Sequence, residues 1–152
     1  MRRSLPALLL ACALVASALR GAEAAASSFP KVEIAPTWTS IYIGTVSLKM
    51  PAFTRTPAGG YESTYAARVL PLFFYNETGR LSIQVPDAAL AQLARGEPIE
   101  FTGRAVNGDG EERRVTGKAT PADATRGKIK VRVGVSAKIE LIFNTTYRFT
   151  GK

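Results

Sequence analysis

From Ile129 to Phe149 the chain alternates with a period of two. Ile129, Val131, Val133, Val135, Ala137, Ile139, Leu141, Phe143, Thr145, Tyr147 and Phe149 are apolar or β-forming. Most even positions are polar: Lys128, Lys130, Arg132, Ser136, Lys138, Glu140, Asn144, Thr146 and Arg148. Such alternation belongs to a strand with one face in a core and the other in water. One straight strand of this length would span about 70 Å at roughly 3.3 Å per residue. A compact domain of this size has a radius of gyration of about 14 Å. The stretch must therefore fold back. Directly paired residues share a face, so odd must pair with odd. A three-residue turn Ser136–Ala137–Lys138 pairs Val135 with Ile139 and keeps that parity; a bend or bulge within a continuous strand is the alternative.

The same reading recurs upstream. Residues 41–50 and Tyr61–Val69 alternate, with the turn cluster Thr56–Gly60 between them. Leu81, Ile83 and Val85 mark another strand, and Ile99–Val106 and Val115–Ala119 two more. The parity rule selects Gly108–Asp109–Gly110 as a hairpin loop. It pairs Asn107 with Glu111, Ala105 with Arg113, Gly103 with Val115, Phe101 with Gly117 and Ile99 with Ala119. It also selects Glu77–Thr78–Gly79, pairing Tyr75 with Leu81 and Phe73 with Ile83. Residues 87–95 predict one short helix, with Asp87 as N-cap and Gly96 just past its end. Its stripe of Leu90, Leu93 and Ala94 is expected to cover the apolar face at Leu70, Leu72 and Phe74. The fold class is all-β: a small antiparallel barrel or sandwich of about seven or eight strands with one short helix.

Residues 1–26 read as a signal peptide. Arg2 and Arg3 precede an apolar run from Leu5 to Leu19, and small residues offer cleavage near Ala24 or Ala26. Residues 27–39, with Pro30 and Pro36, read as an extended lead-in, and 40–152 as a single β domain. The expected location is secreted or periplasmic. The only cysteine, Cys12, lies in the signal segment, so the mature chain has no disulfide to form. The whole chain holds 20 Lys+Arg and 12 Asp+Glu. Removing Arg2, Arg3, Arg20 and Glu23 leaves 17 against 11, a net charge of +6. That balance favours acidic partners.

The chain has no histidine, which removes Ser-His-Asp and Cys-His catalysis and nearly all zinc and copper sites. No phosphate-binding glycine motif and no calcium loop is present, so no cofactor, metal or catalytic residue is expected. Glu100, the most tempting acid, falls opposite Lys118 as an ordinary cross-strand ion pair. The register also sets Arg104 opposite Arg114, and Lys128, Lys130 and Arg132 share their parity one strand later. These five cations are the candidate binding residues. The expected function is non-enzymatic binding or structural support, with the basic sheet face meeting an anionic polysaccharide, a lipid surface or another acidic partner. Sequence-specific nucleic-acid binding is not expected, since aromatics do not interleave with the cations. The alternatives are a small outer-membrane β-barrel and a small secreted hydrolase or hydrolase inhibitor.

Overall fold

The computed structural model describes residues 29–151; the segment expected to be a signal peptide, with the expected cleavage near Ala24 or Ala26, lies outside the described residues. Ten strands run in sequence: β1 (Lys31–Ile34), β2 (Thr37–Ile41), β3 (Gly44–Lys49), β4 (Phe53–Arg55), β5 (Gly60–Leu70), β6 (Glu77–Gln84), β7 (Ile99–Asn107), β8 (Glu112–Pro121), β9 (Arg126–Ser136) and β10 (Ile139–Thr150). One helix, α1 (Asp87–Ala94), joins β6 to β7. Each neighbour pairs antiparallel, β5 joins β6, and β10 returns to β1. The result is a closed up-and-down barrel of eight staves. The first two staves are each broken once: β1 and β2 form one, interrupted at Ala35–Pro36, and β3 and β4 the other, interrupted at Met50–Pro51. Proline lacks the N–H that a ladder needs, so the breaks fall there. Ala35 N–H still donates to the Thr146 carbonyl at 3.0 Å, keeping the first stave joined to β10.

The residues expected to form a lead-in therefore supply barrel strands from Lys31 onward. The β7–β8 hairpin has the predicted register throughout, from Ile99 opposite Ala119 to Ala105 opposite Arg113. Gly110 takes the left-handed conformation at φ +82° that the end of its loop requires. The β9–β10 hairpin solves its parity problem differently from the three-residue turn. Ser136 pairs with Ile139 across a two-residue turn, and a one-residue register shift then sets Glu140 opposite Gly134. A two-residue loop alone would pair odd with even; the bulge restores Leu141 to Val133 and Phe143 to Val131.

Two expectations are corrected. Glu77–Thr78–Gly79 is not a loop: β6 starts at Glu77, and Ala67, not Tyr75, begins the ladder opposite it. Pro71 ends β5, and Phe73–Tyr75 form a single 3₁₀ turn. Nor does α1 cover Leu70 and Phe74, which are 60% and 66% exposed. The helix packs instead at the opposite end of the barrel, against β7 and β8, with Leu90 and Leu93 buried. Pro86, not Asp87, occupies its N-cap. Asp87 faces Arg55, which donates to its carboxylate and to the Val85 carbonyl, each at 2.6 Å. The Arg55 guanidinium also lies 5.0 Å from the centre of the Tyr61 ring. The Tyr61 hydroxyl donates to the Phe29 carbonyl at 2.7 Å, and burial pushes its pKa up to about 12. This end of the barrel is shut.

Inside the wall, large rings lie over glycines on the facing strand. Tyr65 is paired with Gly79, Phe101 with Gly117 and Tyr147 with Gly127. A Cβ at any of these glycines would run into its partner's ring. Alternating small and large residues is how a narrow barrel is filled. Gly117→Ala should cost roughly 1–3 kcal/mol through overpacking. Chemical denaturation of Gly117→Ala, Phe101→Ala and the double variant checks it. Relief of the clash predicts a double-variant penalty smaller than the sum of the single ones, and strict additivity would contradict the packing account.

Candidate functional site

The barrel is packed at its closed end and hollow at the other. Along β9, Ile129 is buried, whereas Val131, Val133 and Val135 are half-buried although they point the same way. Along β10, Tyr147 and Phe143 are buried, Leu141 is half-buried and Ile139 is exposed. The missing coverage is internal: all these residues except Tyr147 line a lumen of about 900 Å³. Its walls are mainly Val, Ile, Leu, Phe, Ala and Met side chains contributed by every stave, with Thr37, Ser40 and Thr145 among them and Lys138 and Glu140 at the β9–β10 end. Eight-stranded barrels are wide enough to be filled by side chains or to hold one small ligand. This one does the first near α1 and leaves room for the second above it.

Beneath the mouth lies a cluster of hydrogen-bonded polar side chains. Glu77 on β6 and Arg113 on β8 face inward, with side chains only 21% and 17% exposed. Arg113 Nε and Nη2 donate to Glu77 Oε1 and Oε2 at 3.0 and 2.6 Å. The Tyr65 hydroxyl donates to Oε1 at 2.6 Å, and Asn107 Nδ2 to Oε2 at 3.2 Å. Arg113 Nη1 also donates to the Val135 carbonyl at 3.0 Å, tying β8 to the bulge of β9. The Arg113 hydrogen bonds, more than those from Tyr65 and Asn107, hold the Glu77 carboxyl down at about 2 against the opposing effect of burial. Burial and the carboxylate push the Tyr65 hydroxyl up. Among the described residues no buried side-chain polar atom is left without a partner.

This cluster escaped the sequence reading, although a signal for it existed. From β5 to β10 the odd positions face the lumen, and Glu77 and Arg113 are odd. Charges of opposite sign at inward positions of nearby strands must find each other or remain buried unpaired.

The mouth is rimmed by four connections: β2–β3, β5–β6, β7–β8 and β9–β10. Tyr42, Ile43, Phe73, Phe74, Tyr75 and Ile139 are all strongly exposed on three of them. The fourth carries Asp109, Glu111 and Glu112.

The five candidate cations stand on the outer wall, all exposed. Arg104 is opposite Arg114 as expected. Lys118 joins them: it is directly opposite Lys130, while Arg132 lies opposite Thr116 and Lys128 opposite Thr120. Arg104 is neutralised by Glu112 at 3.5 Å and Arg132 by Glu140 at 2.8 Å. Glu100 pairs with Lys118 in register, but among the described residues no ion pair joins their side chains, which corrects the expected bridge. A shallow depression of about 650 Å³ on this wall is lined by Glu100, Thr102, Thr116, Lys118, Lys130 and Arg132 among others. Among the described residues no cluster of three or more Asp, Glu, His or Cys side chains could hold a metal.

These features define a class: a closed up-and-down barrel with an apolar, one-ended lumen and a basic outer wall. Comparison with protein-family models, curated proteins and solved structures found no match for the chain.

Proposed function

We propose that this is a non-enzymatic binding protein, exported by its N-terminal segment, that holds one small, mainly apolar molecule in its barrel lumen. The single observation that carries the reading is the apolar lumen of about 900 Å³ behind an open mouth. Small-molecule sites are concave, largely apolar, of about 300–1,000 Å³, and furnished with a few polar groups for orientation. Here Glu77, Arg113 and Tyr65 are those groups, with Asn107 bracing Glu77 from behind. Their mutual hydrogen bonds hold them rigid, so a ligand meets a preformed wall. Titration with diphenylhexatriene, whose fluorescence rises in apolar surroundings, tests the proposal. Saturable binding of a single equivalent is expected, and no fluorescence rise with folded protein would refute it.

The outer-membrane alternative requires an apolar belt facing lipid and a polar interior. The alternation in this chain runs the other way, with Lys128, Lys130, Arg132 and Arg148 outward and the valines inward. A hydrolase has little to work with: Glu77 is occupied by Arg113, and among the described residues Glu100 has no second carboxylate in the depression it lines on the outer wall.

A second reading rests on the directly opposed Lys118 and Lys130 and on Arg104 beside Arg114. Like charges so arranged oppose folding. An anionic polymer laid across β7, β8 and β9 would relieve the repulsion. On a heparin column the protein should elute at elevated salt, and Lys118→Glu/Lys128→Glu/Lys130→Glu should elute markedly earlier. Equal retention of the two proteins would remove this reading.

A further inference from the structure

We propose that the mouth of the barrel docks on the surface of a lipid bilayer containing anionic lipid, through the apolar arc formed by the β9–β10, β2–β3 and β5–β6 connections. These three connections are consecutive around the rim. Their tips carry Ile139, then Tyr42 and Ile43, then Phe73, Phe74 and Tyr75, every one more than half exposed. Aromatic side chains with a polar edge are the ones that settle at the headgroup level of a membrane.

Three observations favour a bilayer over a protein as the occupant. First, the arc is made of projecting tips rather than a flat face. Phe73, Phe74 and Tyr75 stand in a row on one tight turn, with neighbouring ring centres 6.0 and 4.6 Å apart. That turn is held rigid from behind, since the Val69 N–H donates to Asn76 Oδ1 at 2.8 Å. Second, the arc is continuous with the lumen: Tyr42, Ile43, Tyr75 and Ile139 belong to both. An apolar guest moving between lumen and bilayer would pass over these four apolar side chains. Third, the charge is complementary. Arg68 and Lys138 are exposed directly beside the arc; Glu140, next to Ile139, is neutralised by Arg132 at 2.8 Å, and Asp109, Glu111 and Glu112 lie at the β7–β8 tip. Juxtamembrane cations of this kind are attracted to anionic lipid. The barrel would dock tilted, with the β7–β8 tip lifted away from the headgroups.

The docking does not require the lumen reading, and the two can fail separately. The test is flotation of the purified protein with vesicles of phosphatidylcholine, and of phosphatidylcholine with phosphatidylglycerol, at low and moderate salt. The protein should float with the mixed vesicles and less well with the neutral ones. Phe73→Ser/Phe74→Ser should lower partitioning by at least about tenfold, since two phenyl groups no longer leave water. Neither residue lines the lumen, so diphenylhexatriene binding in vesicle-free solution should be unchanged in that variant. Failure of the wild type to float, or equal flotation of the variant, overturns the docking whatever the probe result. A wild type that ignores vesicles but sediments as a dimer, which the variant converts to monomer, assigns the arc to a second copy of the chain instead. Flotation without probe binding leaves the docking standing and removes the lumen reading.

Discussion

Ala67→Phe/Val133→Trp should bind diphenylhexatriene at least about tenfold more weakly than the wild type, a change of about 1.4 kcal/mol, while keeping its fold. The two positions are on β5 and β9, which are diametrically opposite among the eight staves. Both are half-buried and line the hollow part of the lumen. Their enlarged side chains would enter the cavity from facing walls and occupy the space a guest needs. Small-to-large changes in a packed core cost about 1–3 kcal/mol because neighbours must move. Here the added atoms enter open volume, so stability should stay within about 1 kcal/mol of the wild type. Ile129→Trp provides the contrast. It lies on the same strand and points the same way, but it is buried in the packed half. It should lose stability, as denaturant midpoints would register. The single variant Val133→Trp, with weaker binding than wild type, guards against an unfolded double variant. Undiminished probe binding by the folded double variant would place the probe outside the lumen and remove the proposed function.

The contrast between Ile129 and Val133 also marks how far alternation can be read. Period two records which side of a strand faces inward, and it did so correctly from β5 to β10. The parity rule goes further at the β7–β8 hairpin and by itself aligns Arg104 with Arg114. It also required a correction near Ser136–Lys138, which the bulge supplies. Alternation does not record how far away the facing wall is. Val133 and Ile129 are equivalent in pattern and both line the lumen, and only closure of the barrel leaves Val133 half-buried in the hollow part and Ile129 buried against the packed part. Closure joins Val32 to Phe149 across almost the whole domain, and no local signal specifies that pairing. The run Leu70–Tyr75 was misread for a related reason. Its apolar content suggested a strand under a helix, whereas Pro71 ends the strand and the side chains project into solvent at the mouth.

Replacing Glu77 by Gln should remove most of the acid sensitivity that the inward-facing polar cluster gives the barrel. The Glu77 carboxyl is held at about 2 in the folded protein, against an ordinary value of 4.5. A depressed carboxylate stabilises the fold fully above its unfolded value and progressively less as pH falls toward the folded one. The window is therefore pH 4.5 to about 2, and the loss across it is up to about 3 kcal/mol at 1.36 kcal/mol per unit. Above pH 5 this group contributes no slope. In Glu77→Gln the charge is gone at every pH, so two effects appear together. At neutral pH the variant is less stable by roughly 3 kcal/mol, because Arg113 is left inside the wall with only the exposed Glu111, 3.2 Å from its Nη2, as a charged partner. Below pH 4.5 the difference from wild type shrinks, since protonation removes from the wild type the charge the variant already lacks. Denaturant midpoints of both proteins measured from pH 7 to pH 2.5 give the comparison directly, and the difference between the curves cancels the other carboxylates. Arg113→Met separates packing from charge: it fills similar space and leaves Glu77 with only Tyr65 and Asn107 as donors. Its acid limb should move toward the ordinary carboxylate range. Curves for wild type and Glu77→Gln that stay parallel through the acid window would mean that Glu77 is not held in its charged form by Arg113, and the rigid wall assigned to the lumen would lose its anchor.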